Sequence, residues 1–428
     1  MAESILSPPS SLDGLIERLP SDPHLRGEMF EQAAQWFLKT DPSFAPELRE
    51  VWLWNEWPGR WGADIGIDLV AETHTGDLWA IQAKAYDADN SITKADIDSF
   101  LSESNRPAFA YRLLVATTDR IGVKGLGVLQ GQEKGVGFLL RGDLAARDVE
   151  WPAQISDLRA LQPAAKRPRP HQDEALDKIA TGVETEGGGR VTMACGTGKT
   201  LVQLWTHERL KSQRTLVLVP SLSLLKQTLR EWTTHRNADF DYLAICSDET
   251  VDRDERSDSF VSSTSALGVP VTTDVGDIGR FLRASGPRVV FSTYQSSPVI
   301  ASALAGTRHR FDLVIADEAH RCAGVVSSDF STALDPKKIR ARKRVFMTAT
   351  PRLYTGRVVK EAKEADLEVA SMNDESVFGP VFHALSFAEA IKRDLLTDYR
   401  VVIVGIDDDR YRRYAEQGRL VALDGEKK

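Results

Sequence analysis

Cysteine is scarce in this chain: there are three among 428 residues, at Cys195, Cys246 and Cys322. Thiols so few and so scattered exclude a disulfide framework and a four-ligand zinc centre, and they suit a reducing compartment. Long apolar runs are missing as well. The longest, around Val401 to Ile406, is far short of the ~20 residues that a membrane span needs. The N-terminal stretch MAESILSPPSSLDGLIERLP has neither the basic start nor the continuous apolar core of a signal peptide. The expectation is a soluble, cytoplasmic protein with no membrane partner. Positive charge is not in excess either: the formal net charge is −8, so any contact with nucleic acid has to come from local patches. There is no internal repeat and no low-complexity tract.

What is present is ordinary in bulk and specific in detail. The chain is 42% hydrophobic and 27% charged, as soluble globular proteins are. At roughly 100–200 residues per domain its length asks for two or three domains. The stretch that organises the rest is Val191 to Thr200, VTMACGTGKT. An apolar strand runs into a Gly-rich turn, and a helix opens at Lys199. Gly196, Thr197 and Gly198 let backbone N–H groups close around phosphates, Lys199 reaches the terminal phosphates, and Thr200 offers its hydroxyl to Mg²⁺. An ATP site follows, although the full P-loop spacing asks for glycine where Met193 stands.

Downstream, TLVLVP, RVVFSTYQ, FDLVIADEAH and RVFMTATP are apolar runs that end in polar residues and alternate with helical segments. That pattern predicts a parallel sheet covered on both faces, with the polar ends gathered at its carboxyl edge. In DEAH, Asp317 is placed to hold Mg²⁺ and Glu318 to polarise the attacking water. His320 is placed to couple the site to the Thr348, Ala349, Thr350 segment.

The N-terminal third has a different character. A helical pattern around Leu25 to Lys39 precedes VWLWNEW, and then two strand-like runs, IGIDLVAET and DLWAIQAKAY, are joined by the turn HTGD. Asp68 lies on the first run; Gln82 and Lys84 stand two apart on the second and share a face. With Glu31 on the preceding helix, these residues make a workable Mg²⁺ site for phosphodiester hydrolysis: Asp68 and Glu31 hold the metal and Lys84 positions the attacking water. Asp64 and Glu28 are competing carboxylates, and a solvated strand face is the bland alternative. The indoles of Trp52, Trp54, Trp57 and Trp61 can stack on bases, but core and rim packing is the expected role. The basic run Lys337 to Arg344, KKIRARKR, reads as a solvated loop or a DNA patch.

GEMFEQAAQWF, GIDLVAE and WAIQAK together resemble the Mrr-type branch of the PD-(D/E)xK nucleases, in which Gln replaces the acid before the lysine. The resemblance implies a catalytic constellation of Glu31, Asp68, Gln82 and Lys84; Ile67 stands where the wider superfamily has Pro. GTGKT, DEAH and TAT in this order resemble the first RecA-like lobe of superfamily 2 helicases of the DEAH-box variety. That resemblance implies an adenine-reading role for Gln172. It also implies DNA-gripping segments at Pro220 and Ser221 and at Thr293, Tyr294 and Gln295.

A nuclease followed directly by this motor is similar to the N-terminal half of Type ISP restriction–modification enzymes, which translocate on duplex DNA with ATP and cut it. Type III restriction subunits are more distant relatives that usually carry the nuclease after the motor. The expected fold class is α/β: a restriction-endonuclease-like domain followed by a RecA-like ATPase lobe and the start of a second lobe. Its expected parts are a lead-in over 1–20, the nuclease over 21–158, a Pro-rich basic linker over 159–170, the ATPase lobe over 171–375, and a truncated second lobe from 376 to 428. Because the sequence stops at Lys428, the expectation is a truncated or split protein. Its partners are then double-stranded DNA and a chain supplying the second lobe, methyltransferase and target recognition. The rival readings are a DNA repair or defence helicase-nuclease, and a non-catalytic ATP-binding module completed by a partner chain.

Overall fold

The computed structural model describes residues 11–398, apart from 63–65, 131, 133, 148, 153–154, 156–165, 248–263, 326–331 and 353–368. Asp64, most of the expected linker and the run YRVVIVGID lie outside the described residues. Chain contacts divide the protein into two units, one ending at Ser386 and the other starting at Phe387.

The first unit holds two main sheets. After α1 (Leu12–Glu17), α2 (Pro23–Thr40) begins where the Asp22 carboxylate caps the His24 and Leu25 N–H groups and Pro23 presets the first turn. Its apolar side, with Phe30, Ala33, Ala34 and Phe37, is buried against the first sheet. That sheet has the order β1 (Leu48–Leu53), β2 (Leu69–Thr73), β3 (Leu78–Lys84), β4 (Phe109–Ala116), β5 (Val136–Leu139). The first three strands are antiparallel and the last two join in parallel. The parallel connections pass through α3 (Lys94–Ser104) and α4 (Val123–Gln130), and α5 (Arg141–Ala145) follows β5. The indoles behave as packing groups: Trp54 and Trp57 are buried with Phe109, and Trp61 forms the rim with the Arg106 guanidinium 4.2 Å from its ring.

The second sheet is wholly parallel. The chain enters through α6 (Pro170–Thr185), β6 (Gly188–Met193), α7 (Lys199–Arg209), β7 (Arg214–Val219), α8 (Leu222–His235) and β8 (Asp241–Ile245). It continues through α9 (Val275–Arg283), β9 (Arg288–Thr293), α10 (Ser297–Leu304) and β10 (Phe311–Ala316). A two-residue ribbon pairs β11 (Gly324–Val325) with β13 (Val369–Ala370), and between them runs β12 (Ala341–Thr348). The last of the described strands is β14 (Val381–Leu385), and the order across the sheet is β14-β6-β12-β10-β7-β9-β8. Strands such as LVIA in β10 are apolar throughout because helices cover both faces. β14 differs from expectation. The expected second lobe starts at 376, yet Val381–Leu385 adds in parallel to Arg190–Met193 of β6 and extends the first lobe's own sheet.

The two sheets are joined by buried polar contacts. Ser43, in the turn after α2, shares a 2.8 Å hydrogen bond with Thr233 of α8 and accepts one of 2.9 Å from Arg147. The Tyr242 hydroxyl donates to the Ser43 carbonyl at 3.3 Å. The basic run Lys337 to Arg344, whose second half is the start of β12, is partly structural: Arg340 donates to the Thr307 carbonyl at 2.7 Å and Arg344 to that of Ala333 at 3.1 Å. Among the described residues no helix is long and apolar enough to cross a membrane.

Candidate active sites

The first site is built at the end of the β2–β3 hairpin. Pairing of Leu69 with Ile81 sets Asp68, just before β2, beside the last residues of β3. One Asp68 carboxylate oxygen accepts the Ala83 N–H at 2.8 Å, so the acid is fixed against the strand between Gln82 and Lys84. Gln82 is buried and donates to the Gly66 carbonyl at 3.1 Å, while its Oε1 has no hydrogen-bond partner. Gly66 has φ +83°, and a Cβ there would come within 2.5 Å of Ser99 Oγ, so this loop passes α3 as only glycine can. Glu31, Asp68, Gln82 and Lys84 all line one cavity of about 1120 Å³, together with Gly66 and Arg26. The four residues expected from the sequence are thus brought together.

Other walls of that cavity had no sequence signal. Arg26 of α2 reaches Asp87 at 3.2 Å, and both line the cavity, as do Tyr86, Ser99 and Glu103. They come from three segments whose meeting is set by packing alone. Among the described residues no group of three or more His, Cys, Asp or Glu is assembled for a metal. The oxygens offered to that cavity are two carboxylates and a carboxamide; a buried, unpartnered Gln82 Oε1 in a cavity that Asp68 and Glu31 also line fits a hard cation that takes oxygen ligands.

The second site lies at the carboxyl edge of the parallel sheet. Gly196 and Gly198 adopt φ +82° and +81°, which turns the loop so that α7 starts at Lys199. A Cβ on Gly198 would stand 2.2 Å from Gln172 Nε2. Gln172 is 4% exposed and engaged at both ends: Nε2 donates to the Thr197 carbonyl at 3.1 Å, and Oε1 accepts the Arg169 N–H at 2.8 Å. His171 Nε2 also contacts the Thr197 carbonyl at 3.0 Å. Gln172 therefore buttresses the loop in this structure, with both polar ends used inside the fold. Cys195, within the loop, is exposed.

β10 delivers the acidic pair. Lys199 Nζ lies 2.5 Å from Glu318 Oε1 and 3.8 Å from Asp317 Oδ1. Burial raises the Asp317 carboxyl above its ordinary range, with Lys199 opposing. Burial also works on Glu318, but the His320 ring and the Lys199 ammonium outweigh it and hold the Glu318 carboxyl down to about 2. Glu318 has φ +46°, a left-handed backbone unusual for a residue with a side chain. His320 Nδ1 is 3.2 Å from Glu318 Oε2 and 2.9 Å from Thr348 Oγ1, so the DEAH and TAT segments are in direct contact. Thr200 opens α7 beside Lys199.

The segments expected to grip DNA divide. Ser221 caps α8, and Gln295 is half-buried. Pro220 is buried at the end of β7. Thr293 and Tyr294 are fully buried; Thr293 bonds Ser296 at 3.2 Å and the Tyr294 hydroxyl donates to the Asp317 carbonyl at 2.7 Å. Their side chains are withdrawn from any ligand surface, and Tyr294 instead ties this segment to the acidic pair.

Fold and sites together define a nuclease domain joined to the ATP-binding lobe of a superfamily 2 helicase. Residues 39–159 match the restriction endonuclease family and residues 165–353 the Type III restriction enzyme res-subunit family. The first match includes Asp68, Gln82 and Lys84 and begins after Glu31. Over 90% of its length the chain is similar to the ATP-dependent Type ISP restriction–modification enzyme LlaBIII, solved bound to DNA, at 30% identity and a TM-score of 0.75. A nuclease-deletion mutant of the Type ISP enzyme LlaGI aligns over 54% of the chain and 21% of its own at 33% identity, with a TM-score of 0.42. A probable helicase of African swine fever virus is 28% identical over 240 residues, 55% of this chain and 24% of the viral protein. The chain spans about a quarter of the length of LlaBIII, 26%. The likeness to Type ISP enzymes drawn from the sequence is borne out, as is the α/β class with its RecA-like parallel sheet.

Proposed function

We propose that this chain cleaves phosphodiester bonds of double-stranded DNA with Mg²⁺ and that the cleavage is coupled to ATP hydrolysis by its motor lobe. The observation that carries the reading is the convergence of Glu31, Asp68, Gln82 and Lys84 on one cavity, with the Gln82 carboxamide oxygen buried and unpartnered. Glu31, Asp68 and Gln82 Oε1 would hold the metal. When bound, Mg²⁺ supplies an acidified water and offsets charge on the phosphate. Asp68 is kept in place by the Ala83 N–H, and Lys84 offers its ammonium to the scissile phosphate.

In the motor lobe, Gly196 to Thr200 would cradle the phosphates of ATP, with Thr200 and Asp317 placed for its Mg²⁺. Glu318, ionised at neutral pH, would orient the attacking water once Lys199 turns to the phosphates. Ser221, Gln295 and the main chain around Thr293 would face the DNA backbone. Movement along DNA needs a second lobe to close on ATP, carried on the same polypeptide or on a partner chain. The Lys84→Ala form tests the nuclease assignment: nicking of DNA is expected to vanish while ATP affinity stays, and nicking that survives overturns it.

A further inference from the structure

Away from both sites, a cavity of about 300 Å³ opens where three segments meet: Ala146 and Arg147 after α5, Lys166 in the connector before α6, and Arg230, Glu231 and His235 on α8. Its charges are uneven. Arg147 is buried and engaged, 3.5 Å from Asp41 and 2.9 Å from Ser43 Oγ. Glu231 lies 3.7 Å from His235. Arg230 gives one N–H to the Ala146 carbonyl at 3.1 Å, which leaves the rest of its guanidinium fork available. Neither Arg230 nor the exposed Lys166 has a carboxylate within ion-pair reach among the described residues.

The charges lining the cavity are therefore mainly positive, three cations against the single carboxylate of Glu231. Burial is what pushes the ammonium of nearby Lys226 down, with Asp143 opposing it and Arg147 and Arg230 adding smaller shares. Lys166 and the open part of the Arg230 fork, beside the structurally fixed Arg147 and around a space large enough for several waters, suit a tetrahedral oxyanion. Arginine forks and a lysine point charge recognise phosphate in this way.

We propose that this cavity binds a phosphate group, supplied either by the DNA backbone or as free phosphate. The bound group ties the connector, through Lys166, to α5 of the nuclease sheet and α8 of the motor sheet. The site shares no residue with the nuclease cavity or the phosphate loop, so it stands or falls separately from those assignments.

The test uses the full chain and the double variant Lys166→Ala/Arg230→Ala, with Lys124→Ala/Lys178→Ala as a control that removes two exposed positive charges elsewhere. Binding of a short blunt duplex is followed by anisotropy across a salt series. Inorganic phosphate is titrated calorimetrically in the Lys199→Ala background, so that the phosphate loop does not contribute. If the ligand is DNA, the double variant lowers the slope of log affinity against log salt by about 2, and the control does not. If it is free phosphate, the calorimetric binding is lost and duplex affinity is unchanged. In both cases Lys166→Arg/Arg230→Lys restores binding. Duplex and phosphate binding that are both unaffected by the double variant would overturn the proposal.

Discussion

Lys199 of the phosphate loop and Glu318 of the acidic loop form a closed pair, Nζ to Oε1 at 2.5 Å. Each occupies the group that the other would need free: the lysine for phosphate, the carboxylate for water. ATP entry has to break the pair. Replacing Glu318 with Gln is predicted to strengthen nucleotide binding several-fold, because a competing charge leaves Lys199, and to lower phosphate release by about 100-fold or more. Fluorescent-nucleotide titration and a phosphate-release assay read the two effects. Equal affinity in both forms would mean that the pair does not oppose binding.

Gly198 meets two constraints at once, a φ of +81° and a Gln172 amide that a Cβ would approach to 2.2 Å. Gly198→Ala is predicted to lose stability by about 1–3 kcal/mol and to weaken ATP binding. The Gln172→Ala/Gly198→Ala pair removes the clash but keeps the backbone cost. It should recover only part of the loss, read as the thermal midpoint with and without nucleotide.

A third prediction concerns pH. Glu47 is half-buried near Tyr242, where the nuclease and motor sheets meet, and desolvation of its carboxyl pushes it up to about 7 against the Tyr242 phenol. A raised folded value means that the stabilisation is fully present below the unfolded value, 4.5, and is lost as pH rises through about 7. His207 has the opposite sign: burial pushes its ring down to about 4, so its share is present above 6.5 and is lost on acidification. Thermal midpoints of wild type minus Glu47→Gln isolate the first term. That difference should fall between pH 4.5 and 7; a flat difference would remove Glu47 from the account.

Much of this was legible in the sequence because the relevant groups are close in the chain or end apolar runs. Lys199, Asp317 and Thr348 each close a β-strand of one parallel sheet or follow it, and the topology alone puts them at one edge. Asp68, Gln82 and Lys84 follow from a hairpin. What was not legible depends on tertiary contacts. Arg26 reaches its cavity only because α2 packs over the hairpin, and Tyr294 turns inward to bond the Asp317 carbonyl instead of facing a ligand. The boundary expected at 376 places Val381–Leu385 with a second lobe, because a strand this short carries no mark of which sheet it joins. Its register against β6 decided the matter.

The central claim, a metal-dependent nuclease at Asp68, is tested most directly by plasmid cleavage with Mg²⁺, with and without ATP, by wild type and Asp68→Ala. Cutting by wild type is expected to disappear in the variant while both bind ATP equally. Cutting of equal extent by the two forms would contradict it.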